Sequence, residues 1–447
     1  MTNVDDATDD VNDGADEVSL ARVVRLWWPL AASWLLMGAE GPVVTGFLAR
    51  SAESEVHLAA FSAAFNVSLI IEAPIIMLLA ASTALATSQT AYWKLHRYMV
   101  GMSAGLTILH ALVAFTPLFD LVAGRFLNLP TDAVEPTRTG LQIFLPWTAA
   151  IAYRRFQQGV LIRTEHTRLV LVGTALRLAV GFTTISLGFR AGWSGIVLAT
   201  TTLSVGVLTE ALYAWFVVRG PRSRDLPAED EAGRRMSFGS FLSFYSPLAA
   251  TPLLVLGVQP FGTATMSRMP RALESLAAYH GVHALVFLTR SSGFAFNEVV
   301  VTLLGARGAV ASLVRFAKIL GLVMLGALAL FAFTPLGAVW FGRVQAFSPE
   351  LIKLASGSLL FALVMPLNQI LQSWFGGILV KSGRTRGITE AVGLYALAAL
   401  VGLWAGVELQ RSNGLYWTIA SLSLAGLVQS VWLWFRARGP LLQFRDL

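Results

Sequence analysis

Stretches of about 20 or more mostly apolar residues recur along this chain, separated by short polar interruptions, and a stretch of that length crosses a bilayer as a helix. Lipid offers no partners for unpaired backbone groups, so each crossing must close its own hydrogen bonds. Twelve such segments are predicted, at about 23–48, 57–90, 97–118, 139–162, 168–189, 193–218, 239–267, 273–305, 311–340, 351–380, 387–407 and 414–435. Several exceed an upright crossing, helices 2 and 8 most clearly, which predicts tilt or protrusion beyond the membrane. The expected fold class is an all-α polytopic membrane protein.

Sliding the chain against itself reveals a repeat at an offset of 218 residues. Pro29-Leu30-Ala31-Ala32-Ser33 falls on Pro247-Leu248-Ala249-Ala250-Thr251, and Pro42 on Pro260. Further on, Arg50 meets Arg268, Phe115-Thr116-Pro117-Leu118 meets Phe333-Thr334-Pro335-Leu336, Gly124-Arg125 meets Gly342-Arg343, and Thr167-Arg168 meets Thr385-Arg386. Small apolar matches arise by chance in such chains; prolines and loop arginines held in phase across six helices do not. Six helices per half is an even number, so the halves share an orientation and form two parallel six-helix repeats about an axis along the membrane normal. The expected organisation is an acidic disordered tail (1–18), an N-lobe of helices 1–6 (19–218), a polar linker (219–238), a C-lobe of helices 7–12 (239–438) and a C-terminal tail (439–447).

Charge sets the orientation. Seven of the 26 acidic residues lie in the first 17 positions, and the remainder of the chain is strongly basic. The basic residues gather on alternate connections, among them Arg22, Lys94, Arg163, five between Arg219 and Arg235, Lys381 and Arg438, which places both termini in the cytoplasm and the chain in the plasma (inner) membrane. The same bias accounts for a pI near 10, so no nucleic-acid partner is implied. With no cysteine there is no disulfide framework, thiolate metal site or Cys nucleophile. No P-loop, HExxH or GxGxxG occurs, so neither a cofactor nor a metal is expected, and the chain is not read as an enzyme. Mean hydropathy is +0.65, far from a soluble composition.

Charged groups at lipid depth are costly and face a cavity or a partner. The candidates are Glu40 in helix 1, Glu72 in helix 2, Arg154 and Arg155 in helix 4, Arg177 in helix 5, Glu210 in helix 6, and Arg290 and Glu298 in helix 8. Glu72 and Arg290 are repeat equivalents and are expected to pair across a central cleft or to hold opposite ends of a ligand. Polar stripes on helices 4 and 10, with Arg154, Gln157 and Gln158 on one and Asn368, Gln369 and Gln372 on the other, predict further cleft lining, joined by Asn297 on helix 8. Arg177 pairs structurally with Glu72 or Glu40, or touches ligand. Glu40, beside Gly41 and Pro42, and Glu298 are candidates for binding a coupling ion, H+ or Na+. His110 reads as a packing residue. Gly101 with Gly105, and Gly402 with Gly406, read as helix contacts.

The two-times-six repeat, with prolines at matched places in helices 1 and 7, resembles the multidrug/oligosaccharidyl-lipid/polysaccharide (MOP) flippase superfamily, which includes multidrug and toxic compound extrusion (MATE) transporters. More narrowly, Trp28-Pro29-Leu30, Leu242-Ser243-Phe244, Pro247-Leu248-Ala249, Pro260 and Ser267-Arg268 resemble the progressive ankylosis protein family, whose members export pyrophosphate, ATP and citrate. The resemblance implies a MATE-like fold and a secondary exporter working by alternating access, moving a small organic or phosphate-bearing anion. MATE proteins often couple ions through an acid in helix 1; here that position falls to Glu40, while helix 7 has no acid and helix 10 carries Asn368. Efflux of cationic amphiphiles, using Glu40 and Glu72 as countercharges, is the alternative within the fold. A lipid-linked precursor flippase is a third, and a membrane-embedded transferase belongs to another class, for which only solvated acids such as Glu53 and Glu229 offer themselves.

Overall fold

The computed structural model describes residues 17–48, 50–126, 131–345, 347–410 and 412–445. Residues 1–16 of the acidic tail, and the last two of the C-terminal tail, lie outside the described residues. Twelve long helical segments follow: α1 (Leu20–Leu48), α2 (Ser54–Ile76, resuming past Met77 as Leu78–Leu85), α3 (Gln89–Phe115), α4 (Thr131–Arg163), α5 (Thr167–Arg190), α6 (Gly195–Val217), α7 (Phe238–Ser267), α8 (Ala272–Leu303), α9 (Ala309–Phe333), α10 (Pro349–Ala362, resuming as Met365–Lys381), α11 (Arg386–Leu409) and α12 (Gly414–Arg445). Among the described residues there is no β-strand. Ten of the twelve are long and apolar enough to cross a membrane. The other two, α1 and α4, have the length, but Glu40 with its neighbouring prolines and glycines in one, and the Arg154-Arg155-Phe156-Gln157-Gln158 run in the other, dilute their hydropathy. Large apolar side chains such as Leu322, Phe333 and Trp404 stand exposed on the outer surface, which is the surface a bilayer covers.

The backbone carries the repeat at the same offset as the sequence. Helix α3 ends in a Thr-Pro corner, a single turn Leu118–Leu121 and a π-helical turn Val122–Phe126; α9 ends in Leu336–Val339 and Trp340–Val344. The hydroxyls of Thr116 and Thr334 close both corners by donating to the carbonyls of Leu112 and Leu330, at 2.6 and 2.5 Å. Left-handed backbone recurs at Glu53 and Arg271, at Glu165 and Gly383, and at Gly192 and Gln410. Four of those six carry a side chain that disfavours the conformation, so the turn geometry is held by the fold and not by a local preference.

Helices α1–α6 pack on one another, as do α7–α12. The two sets meet where α1 runs along α8 and α9, and where α2 lies against α7, α8 and α10. Several boundaries differ from expectation. Helix α3 starts at Gln89 because the Ser88 hydroxyl accepts from the Ala91 amide, and α2 stops correspondingly short. The final helix continues to Arg445, so most of the predicted C-terminal tail is helical. The linker is ordered: Arg219–Asp225 and Glu231–Arg235 are helical, and the segment is fastened to the start of α3. The Gln89 amide donates to the Pro227 carbonyl (2.9 Å), Ser88 donates to Asp230 (2.7 Å), and the Lys94 ammonium donates to the carbonyls of Gly233, Arg234 and Met236 at 2.9–3.1 Å. Gly402 and Gly406 do form a helix contact, against Ser421 and Trp417 of α12. Gly101 and Gly105 do not: the space beside each is open, because α3 turns that side outward.

Candidate functional site

Between the two sets of helices lies a cavity of about 320 Å³, walled by α1, α2, α4 and α5 on one side and by α7, α8, α10, α11 and α12 on the other. Its lining falls into pairs 218 residues apart: Leu30 with Leu248, Ile76 with Phe294, Leu79 with Asn297, Arg155 with Ser373, Ile162 with Val380, and Val170 with Ile388. The axis of the duplication therefore passes through the cavity. Most of the wall is apolar, and the charged groups break its symmetry. Arg155 occupies the place that Ser373 holds in the other half, and Glu298 the place of Ala80.

Arg155 and Glu298 are both short of partners. The guanidinium of Arg155 sits over the Trp34 ring, 5.8 Å from its centroid, and its buried Nε has no hydrogen-bond partner among the described residues. One carboxylate oxygen of Glu298, Oε2, is likewise buried without one. Arg155 lies within electrostatic reach of Glu298, although the two form no ion pair. Unpaired buried ions cost several kcal/mol unless water or a ligand reaches them, which marks this cavity as a polar passage through an apolar wall. Trp34 and Phe294 pack across the junction of the halves, tilted by 32° with their centroids 5.0 Å apart. Gln158, Asn297 and Gln372 also line the cavity, with their amide nitrogens committed to Glu210 (2.9 Å), the Ser373 carbonyl (3.2 Å) and the Gly426 carbonyl (3.4 Å).

The remaining predicted site residues lie elsewhere. Arg154 is 2% exposed and points along α4 into the N-terminal half, donating to Glu210 of α6 at 2.8 Å. Glu210 also accepts from Thr174 of α5 (3.1 Å) and pairs with Arg177 (3.6 Å), and Arg177 bridges onward to Glu40. Two cations and two carboxylates thus close on one another inside a single half. Glu40 edges a separate cavity of about 150 Å³ with Gly181 and Thr202. Glu72 is buried against α4, where the Trp147 indole donates to it at 2.5 Å. Arg290 lies within the C-terminal half, 5.6 Å from the Phe294 centroid and beside Tyr279 and Tyr395. The expected Glu72–Arg290 pair is therefore not formed: equivalent positions lie on opposite sides of the axis, and each of these side chains faces into its own half. Asn368 ties α10 to α12 by donating to the Ser423 carbonyl at 3.1 Å and does not line the cavity. His110 is fully buried, its two ring nitrogens bonded to Thr148 and the Leu141 carbonyl at 3.0 Å each, as a packing histidine is.

Sequence reasoning passed over three features of this region. Trp34 and Trp147 hold the charges that it singled out, and nothing in their spacing announces that. At the linker side the cavity ends at Ile162 and Val380, and the next residues, Arg163 and Lys381, are again 218 apart and close enough to repel. They were counted as loop cations, although the repeat offset pairs them. Among the described residues there is no group of His, Asp or Glu able to hold a metal ion.

Two parallel six-helix halves around a cavity on their common axis define a duplicated, polytopic class of membrane protein. The fold is that of MATE transporters of the MOP superfamily, which have twelve helices. No protein-family model matches the chain, and no curated protein matches it. Among solved structures, an outward-facing multidrug resistance MATE family transporter of the MOP superfamily superposes with a TM-score of 0.70 at 15% identity, covering 99% of this chain and 100% of that one. A MOP superfamily transporter from Pyrococcus furiosus, described as having a binding pocket of reversed polarity, gives 0.73 at 14% identity over 94% and 96% of the two chains. A eukaryotic MATE transporter gives 0.74 at 12% identity over 96% and 99%. At such identities the likeness is one of fold.

Proposed function

We propose that this chain is a secondary transporter in which an N-lobe (19–218) and a C-lobe (239–438) rock about the linker (219–238) and expose the central cavity to each side in turn. The observation that carries the reading is the placement of the cavity on the duplication axis, with Arg155 and Glu298 inside it, neither in an ion pair and each with a buried polar atom, Nε and Oε2, left without a hydrogen bond. Both termini and the linker are assigned to the cytoplasmic side of the plasma membrane by the positive-inside bias. The substrate is a small organic or phosphate-bearing anion, citrate- or pyrophosphate-like, moved outward. Arginine's planar fork suits carboxylate and phosphate, and Arg155 is the arginine in the cavity not already committed to a carboxylate. Coupling to H+ or Na+ falls to Glu298, because Glu40 is occupied by Arg177. A second reading, efflux of a cationic amphiphile, is favoured by the aromatic Trp34–Phe294 wall and the unbonded Glu298 oxygen.

Proteoliposomes loaded with labelled citrate, pyrophosphate or a cationic dye, with and without a pH gradient, test it. Anion movement that is lost in Arg155→Gln, kept in Arg290→Gln and uncoupled from the gradient in Glu298→Gln is the expected outcome. Dye movement that survives Arg155→Gln and stops in Glu298→Gln favours the cation reading. Movement of neither anion nor dye overturns both.

A further inference from the structure

The strongest feature outside the central chemistry is the pair of cations at the linker-side mouth of the cavity. Ile162 and Val380 close that end, and the residues that follow them on α4 and α10, Arg163 and Lys381, stand at equivalent positions in the two halves. Arg163 donates to the carbonyls of Thr83 and Ala84, at 3.0 and 3.2 Å, and so fixes its guanidinium at the end of α2. Asp230 of the linker offsets part of its charge. Lys381 has no such relief: it makes no hydrogen bond or ion pair among the described residues, its stem passes Gly305, and it lies within electrostatic reach of Arg163. Two half-buried cations facing one another across the junction of the lobes repel, and an anion between them turns that repulsion into two charge-assisted hydrogen bonds.

We infer that Arg163 and Lys381, one from each lobe, form a second anion seat at the linker-side mouth, which takes a carboxylate or phosphate group before or after it occupies the central cavity. The inference rests on the anion reading above and adds a station to it. Because each lobe supplies one cation, an anion there also ties the lobes together on that side, and parting them releases it. The chemistry fits a soluble organic anion or an anionic lipid headgroup.

Pyrophosphate is titrated calorimetrically into the purified full-length protein in phosphatidylcholine nanodiscs, and melting is followed alongside. The wild type is expected to bind and to melt higher with ligand. Lys381→Met should melt higher than the wild type without ligand, its repulsion gone, and bind at least about tenfold more weakly. Lys381→Arg should keep most of the affinity. Wild-type affinity in Lys381→Met, or a Lys381→Met protein that melts lower without ligand, overturns the proposal. Stabilisation by phosphatidylglycerol alone, sensitive to Lys381→Met, supports the seat and assigns it to lipid. The titrations are made in an Arg155→Gln background, so that the central cavity does not mask the mouth: binding there that needs Lys381, while wild-type vesicles move only the cationic dye, sinks the substrate reading and leaves the seat, whereas anion transport with no dependence on Lys381 removes the seat alone.

Discussion

Removing the Glu210 carboxylate should cost the N-terminal half more than any other single change in the described charge network. Arg154, 2% exposed, and Arg177 both pair with it, and Gln158 and Thr174 donate to it at 2.9 and 3.1 Å. In Glu210→Ala the Arg154 charge stays buried without its one ion-pair partner, a loss of about 3–5 kcal/mol. At an unfolding entropy of about 2 cal/mol/K per residue, that lowers the melting temperature by about 3–5 °C if the whole chain melts as one unit, and by about 7–12 °C if the N-terminal half melts alone. Thermal melting in detergent, followed by tryptophan fluorescence, reads both the size of the shift and the unit that unfolds. Glu210→Gln keeps an acceptor for Gln158 and Thr174 but not the charge, so most of the loss should remain. The double change Arg154→Met with Glu210→Leu removes the stranded ion and should recover most of the stability. A Glu210→Ala protein melting within about 1 °C of its parent, or a double variant no better than the single, would refute the argument.

Other expectations follow from contacts of similar clarity. Gly159→Ala puts a Cβ 2.4 Å from the Leu79 carbonyl oxygen, so the two helices must separate and the melting temperature should fall; Gly101→Ala meets nothing within 4 Å and gains helix propensity, so it should be neutral or stabilising. The same melting assay decides both, and a loss in Gly101→Ala equal to that in Gly159→Ala counts against this packing. Asp230 ties down the linker: burial pushes its carboxyl up, but hydrogen bonds from Ser88 and the Gly233 amide, with Thr87 and Arg163 nearby, outweigh this and hold it below the ordinary carboxylate value. A depressed folded value means that its contribution is complete above the unfolded pKa of about 3.9 and is lost as pH falls through the folded one. Pepsin cleavage of the linker should therefore accelerate as pH falls below that range in the wild type and be fast throughout in Asp230→Asn; matching profiles would count against it.

The helices and the duplication were legible because both are written in features that survive divergence: stretches long enough to span a bilayer, and prolines and loop arginines that mark corners. The Thr-Pro corners at Thr116 and Thr334 are the clearest instance, their sequence match recurring as identical hydroxyl-to-carbonyl closures. The partners of the charges were not legible. An offset of 218 says which residues correspond, but not which way each helix is turned about its own axis, and that rotation sends Glu72 to Trp147 and Arg290 toward Phe294 instead of toward each other. Adjacent residues show the same effect, since Arg154 and Arg155, indistinguishable in the sequence, point one into the N-terminal half and the other into the cavity. The Arg163–Lys381 pair was within reach of the offset, and a reading of cations at helix ends as loop charge concealed it.

The docking of the linker on α3 has a mechanical consequence. A flexible strap would let the two halves slide, tilt or twist independently, with the strap merely limiting how far they part. Here the chain from Gln89 to Lys94 grips the connecting segment as far as Met236, and the next helix begins at Phe238, capped by Ser237. The helix that follows is held at the same place, since Phe238 and Phe241 pack on Tyr98 of α3 with ring centroids 5.3 and 5.1 Å apart, so the covalent joint between the halves carries no slack. A joint held in this way makes the connecting segment and the first turns of α7 one body with the first half, so that any parting of the halves has to begin beyond Phe241.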